Sequence, residues 1–371
     1  MSDQTYLDYN ATAPLRPEAF ELMSALMAAP HNASSVHGLG RAGRLAVEKA
    51  REQVAVLAGV PSTQVIFNSG ATEANNTVIR YFRKDGPVLV SAIEHPSVLE
   101  AADDLIRIPV ETNGVVDLNA LEALLSEHKP ALVSVMMVNN ETGVIQPIAE
   151  ISALAKKYGA MLHCDGVQAA GRIPINMAEL GIDFLSLSAH KIGGPQGVGA
   201  LVLGLCGITP SLLHGGGQEK SARAGTENVA GIAGFGVAAE LASIEDYQNL
   251  AHLRDEMEAR LREISPEIII HGQNAPRVAG TSMLSLPGVK SETMLMALDL
   301  DGVAISNGSA CSSGTVKTSH VLKAMGAADE VAGSALRISM GWNTSPEDIE
   351  CFLAGWEKLY ARLQDKVRAH A

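Results

Sequence analysis

Aromatic side chains make up only 4% of this 371-residue chain, as two Trp, six Tyr and six Phe. With so few rings, the cores have to be built from aliphatic residues and alanine, and no row of aromatics is available to stack bases. Positive charge is short as well: 28 Lys and Arg stand against 41 Asp and Glu, for a net charge of −13, with no basic run. These two shortages argue against nucleic acid as a partner. Cysteine is limited to Cys164, Cys206, Cys311 and Cys351, far apart and without a CxxC pair. Such spacing suggests neither a disulfide framework nor a zinc or iron–sulfur cage, so no metal is expected and a cysteine that matters works alone. The longest mostly apolar run, residues 229–242, is cut by glycines and falls short of the ~20 residues a membrane span needs. The first residues are polar and acidic, with no basic start ahead of an apolar segment, so the expectation is a cytoplasmic protein without a secretory signal.

What is present is an alternation. Short apolar runs at 64–67, 87–92, 131–136, 160–164, 182–187 and 199–203 read as strands, with helical spacing at 17–28, 45–57, 117–126 and 147–158 among them. That order gives an α/β fold, a largely parallel sheet wrapped by helices. Helices over 227–264 mark a change, after which strands near 267–271, 282–286, 303–306 and 336–340 mix with helices near 292–300, 320–325 and 346–363. A chain of this length exceeds one usual core. The expected division is a large domain over residues 15–245 and a small domain from residues 1–14 and 246–371. Gly38, Gly40 and Gly43 match G-x-G-x-x-G, but no apolar strand precedes them, so the match reads as chance.

Several strand ends carry chemistry. Lys191 sits between an apolar strand and a glycine-rich turn, in SAHKIGGPQG (188–197), as a Schiff-base lysine would; a solvated turn lysine is the plain alternative. Asn68 to Asn75 turn from a strand into a helix, which makes an anion site with Ser69 or Thr72 to help, or else an ordinary helix cap. His95 precedes a helix opened by Pro96, either as a cap or as a catalyst, and Asp165 ends another strand. A lysine, an aspartate, a phosphate-holding turn and a flat ring together suit pyridoxal phosphate, with the aspartate keeping the pyridine nitrogen protonated. Cys311 lies in the Gly/Ser-rich SNGSACSSG (306–314), as an incidental linker thiol or a nucleophile for soft sulfur. Arg337 interrupts an apolar strand, as a grip on a substrate carboxylate or one half of a structural ion pair.

The order of motifs resembles the cysteine desulfurases of the NifS/IscS type, within the aspartate aminotransferase-like, fold-type I (class V aminotransferase) pyridoxal phosphate enzymes. YLDYNATAP (6–14), NSGATEANN (68–76), EHPSVL (94–99), VNNETG (138–143), DGVQAAG (165–171), SAHKIGGPQGVGAL (188–201), GGGQEKSARAGTEN (215–228), SNGSACSSG and ALRISMG (335–341) carry the likeness almost end to end. It implies that Lys191 holds the cofactor as a Schiff base, Asp165 faces the pyridine nitrogen, and His95 stacks on the ring and moves protons. It also implies that Asn140 and Gln168 bind the ring hydroxyl side, while Ala71, Thr72, Ser188 and His190 hold the phosphate. Thr226 would reach the neighbouring subunit's phosphate in a homodimer, and Asn32 and Arg337 would hold the substrate carboxylate. Cys311 would take sulfur from L-cysteine as a persulfide, leaving L-alanine, and pass it to an acceptor or scaffold protein for iron–sulfur cluster or other sulfur-cofactor biogenesis. His31 and Ala33 stand where the family often has glycine and proline. A selenocysteine lyase, a transaminase and a non-catalytic sulfur-relay or scaffold protein are the alternative readings.

Overall fold

The computed structural model describes residues 4–308 and 318–368, the side chains of 365–368 excepted. Twelve strands are described: β1 Thr5–Tyr6, β2 Val65–Asn68, β3 Val88–Ser91, β4 Ile106–Ile108, β5 Leu132–Ser134, β6 Met161–Asp165, β7 Phe184–Ser188, β8 Gly199–Leu203, β9 Ile269–His271, β10 Thr281–Ser285, β11 Val303–Ala304 and β12 Ala335–Ser339. Seven of them form one sheet in the order β2-β8-β7-β6-β5-β3-β4. The pairs β7 with β6, β6 with β5, β5 with β3 and β3 with β4 are parallel, while β8 runs antiparallel to both β7 and β2. Six strands therefore point one way and only β8 is reversed. The carboxyl ends of β2, β3, β5, β6 and β7 lie along one edge, where an open α/β sheet places its ligands.

Every residue of β3, β5, β7 and β8 is buried. Helices cover both faces of such a sheet, which is why these strands read as unbroken apolar runs and not as alternation. The helix Ala71–Phe82 shows how a face is covered: Ala74, Asn75, Val78, Ile79 and Phe82 are buried at helical spacing. The helix Gly38–Ala58 begins seven residues before the apolar spacing at Leu45, with the His37 side chain accepting from the Gly40 amide. Its early glycines allow close packing, since a Cβ on Gly40 would lie 2.2 Å from the Ser35 carbonyl oxygen and one on Gly43 3.1 Å from His31 Cβ. No strand leads into them, and the glycine pattern serves helix packing.

Beyond the large sheet, β12, β10 and β9 form an antiparallel three-stranded sheet, and β1 pairs in parallel with β11. Residues near the amino end thus reach across to the later part of the chain. An isolated bridge from Asp8 to Ser339 continues this contact. The segment after it, residues 9–12, is carried to the carboxyl edge of the large sheet.

Candidate active site

A cavity of about 1180 Å³ opens at that carboxyl edge. One corner is built by the turn after β2. Gly70 holds φ at +143°, a region that side chains other than glycine's adopt only under strain. Its amide bonds to Asn68 Oδ1 at 2.9 Å, and Ser69 N bonds to Glu73 Oε2 at 3.0 Å. Neither Ser69 nor Asn68 caps the helix Ala71–Phe82 with its side chain, so the amides of Ala71 and Thr72, in the first helical turn, have no helical carbonyl to bond. They line the cavity at the positive end of a three-turn helix, with Ser188 and His190 also in its wall. Burial, reinforced by Lys191, lowers the His190 imidazole to about 4. It is neutral at physiological pH, and its Nδ1 lies 3.2 Å from Thr12 Oγ1.

Lys191 closes the one-turn 3-10 segment after β7. Its Nζ donates to the carbonyl oxygens of Asn10 and Ala11, the latter at 2.8 Å. Burial first, then the cations Arg337 and Arg172, lower its amine to about 7 against the opposing pull of Asp8 and Asp165. An amine so placed is largely neutral a little above pH 7, as a nucleophile or base must be. Asp165, at the end of β6 and 6% exposed, accepts from Asn75 Nδ2 at 2.8 Å and from Val167 N at 3.0 Å.

His95 follows β3 and belongs to a relay with that aspartate. Asn75 Nδ2 bridges Asp165 Oδ2 and Ser97 Oγ, each at 2.8 Å, and Ser97 Oγ lies 2.8 Å from His95 Nδ1. The Ser97 amide also donates to His95 Nδ1, at 3.1 Å. That nitrogen is therefore an acceptor, and a neutral ring carries its proton on Nε2. Burial holds His95 below the ordinary histidine range, Lys191 and His320 assist, and Asp165 opposes.

Asn140 and Gln168 line the same cavity, each with a buried side-chain oxygen that has no partner. Gln168 Nε2 donates to the Asn10 carbonyl at 3.1 Å. Arg337, 4% exposed, donates through Nη2 to Asp8 Oδ1 at 2.6 Å and through Nη1 to Asn140 O at 3.0 Å, and its Nε is buried without a partner. The ion-pair alternative for this arginine is thus present, with Asp8, and the guanidinium also lies in the cavity wall.

Two expected residues stand apart. Asn32 is exposed, caps Ser34 N through Oδ1 at 3.0 Å, and is absent from the cavity wall; Thr226 is also exposed and outside it. Cys311 lies outside the described residues. Four residues that the sequence reading gave no role are part of the site: Asp8, Asn10, Asn75 and Ser97. All fall within or beside the motifs YLDYNATAP, NSGATEANN and EHPSVL, which is the signal that could have found them.

The aminotransferase class-V family matches residues 5–352. A "Cysteine desulfurase IscS" of Dictyoglomus turgidum is 40% identical, the match covering 98% of this chain and 96% of that protein. The X-ray structure of a NifS-like protein from Rickettsia africae has a TM-score of 0.90 at 39% identity, over 96% of this chain and 99% of that one. A structure described as SspA in complex with cysteine has a TM-score of 0.80 at 29% identity, over 91% and 98%.

Proposed function

The chain belongs to the aminotransferase class-V family, and from that premise we propose that it is a pyridoxal phosphate-dependent cysteine desulfurase of the NifS/IscS type. The observation that carries the reading is the meeting of Lys191, Asp165 and the Ala71–Thr72 turn in the wall of one cavity. The residues fit the cofactor. Unpartnered oxygens of Asn140 and Gln168 wait for a donor, the helix start and His190 suit a phosphate, and Asp165 suits a protonated ring nitrogen. When bound, pyridoxal phosphate supplies an electron sink for the bonds around the substrate Cα.

Lys191 anchors the group through its amine and, once freed, takes the Cα proton of L-cysteine. His95 Nε2 handles the proton of the substrate thiol, with Nδ1 held by Ser97. Arg337 faces the substrate carboxylate, which competes with Asp8 for the guanidinium. The Cys311 thiolate attacks the substrate sulfur: the S–S bond forms, the C–S bond breaks and its electron pair goes to Cβ, which takes up one proton, while the Lys191 amine returns a proton to Cα to complete L-alanine. The persulfide is then passed to a sulfur-acceptor or scaffold protein, in support of iron–sulfur cluster or other sulfur-cofactor assembly. Thr226 serves the second subunit of a homodimer. No described helix is long and apolar enough to cross a membrane. The relatives' names do not favour a transaminase, which would have no need of Cys311, a selenocysteine lyase or a non-catalytic relay.

The test is product analysis with L-cysteine and a thiol reductant. Alanine and sulfide are expected in equal amounts, and Cys311→Ala is expected to keep the cofactor absorbance while sulfide release falls by about 10³-fold or more. Sulfide release by Cys311→Ala at the parent rate would remove the mechanism.

A further inference from the structure

Arg172 is buried, 4% exposed, yet among the described residues it has no carboxylate partner. An unpaired buried guanidinium is costly and calls for a reason. Its Nη1 donates to Asn10 Oδ1 at 2.6 Å, and the guanidinium lies over the Tyr247 ring, 5.3 Å from its centroid. Asn10 is in turn used at every polar atom. Its Nδ2 donates to Asn140 O at 3.0 Å and Thr281 Oγ1 at 3.1 Å, its amide donates to Ser339 Oγ at 3.0 Å, and its carbonyl accepts from Lys191 Nζ and Gln168 Nε2. Arg172 thus grips the residue whose carbonyl grips the lysine.

A neutral amine has two N–H bonds and one lone pair, arranged tetrahedrally. When the carbonyls of Asn10 and Ala11 take both N–H bonds, the lone pair has one direction left, away from the two oxygens. We propose that Arg172 and Asn10 are positioning residues for Lys191: the Arg172–Asn10 bond fixes the Asn10 carbonyl, so that it and Ala11 hold both N–H groups and leave the lone pair for the cavity.

Charge reinforces the geometry. The groups that face the amine are Arg337 from β12, Arg172 after the β6 turn, Asp8 and Asp165, and the rings of His95 and His190. Arg172 disfavours the ammonium form, so removing its charge favours protonation and moves the lysine titration upward. The proposal rests on the reading of the cavity given above, but its test does not require turnover.

The experiment is competitive labelling of Lys191 in the full-length, cofactor-free chain with acetic anhydride across pH, read by peptide mass spectrometry. It is paired with kcat and KM of the cofactor-loaded enzyme on L-cysteine. For Arg172→Gln the half-labelling pH is expected to rise by about one unit, with kcat down roughly tenfold and KM within about threefold. Arg172→Lys, which keeps the charge, is expected to return the half-labelling pH to within about 0.3 of the parent. Asn10→Ser removes the brace without touching charge, and is expected to lower kcat roughly tenfold with little change in KM. An unchanged labelling midpoint in a folded Arg172→Gln chain overturns the proposal, and so does a parent-like kcat in Asn10→Ser should Arg172→Gln fail to fold. If the parent makes no alanine from L-cysteine, the functional reading fails while the labelling midpoint still decides this inference.

Discussion

Burial decides the chemistry of single residues here more than pairing does. Glu94, one residue before His95, is fully buried; burial pushes its carboxyl up to about 8, although Ser91 Oγ and Met136 N both donate to it. Two hydrogen bonds to the charged form are outweighed by the loss of water around it. The folded-state value lies above the unfolded one, so the unfolded chain loses this proton first, and stability falls as pH rises from about 4.5 to about 8. Glu94→Gln keeps the shape and both acceptor bonds without the charge. It is expected to raise the melting temperature by roughly 3–8 °C near pH 8.5 and hardly at all near pH 4; thermal unfolding at the two pH values checks this, and an equal change at both would contradict it. His95, Asp165 and Lys191 were legible as single residues because each ends an apolar run. Asn10 and Asn75 were not, because a buried asparagine carries no local pattern: only the fold shows that one touches Lys191 and the other Asp165.

At the scale of elements, the strand ends make the site, and β8 shows how closely they are fitted. Gly199 begins this reversed strand opposite Asn68 and Ser188. A Cβ there would lie 2.5 Å from the Leu187 carbonyl oxygen and 2.6 Å from Gly70 Cα, so Gly199→Ala pushes on the turn that presents the Ala71 and Thr72 amides. The expected result is a loss of cofactor affinity of roughly tenfold or more, read by absorbance titration, since misplaced amides no longer converge on a phosphate; unchanged affinity would show that the turn tolerates the shift. Strands buried on both faces were readable as apolar runs. Ile106–Ile108 was not, since Arg107 breaks its pattern, and neither was the length of the helix Gly38–Ala58, whose first turns are glycine and arginine. The loop at Glu219, Lys220 and Ser221 was equally hidden: all three hold positive φ, and Arg51 clamps Glu219 with bonds of 2.7 and 2.8 Å across 168 residues. No local pattern announces a contact of that span.

For the whole molecule, we propose the division of residues 15–245 from residues 1–14 and 246–371, because the large sheet uses only residues 65–203 and the smaller ones draw on residues 5–6 and 269–339. A homodimer is proposed on similar grounds. Phe20, Met27, Val36, Leu45 and Val56 are 60 to 88% exposed on the first two helices and the segment between them, an apolar display that a second copy would cover. Mixing Lys191→Met chains with Thr226→Val chains tests the sharing of residues. Each mixed dimer regains one intact site if Thr226 serves its neighbour, and activity above that of either variant alone is expected; no gain after subunit exchange would contradict the shared site. The central claim, that this cavity moves sulfur from L-cysteine to Cys311, is tested most directly by mass spectrometry of the Cys311 peptide after incubation with L-cysteine and no reductant. One added sulfur atom on Cys311, with alanine formed, is the predicted result; an unmodified Cys311 while alanine and sulfide accumulate would contradict it.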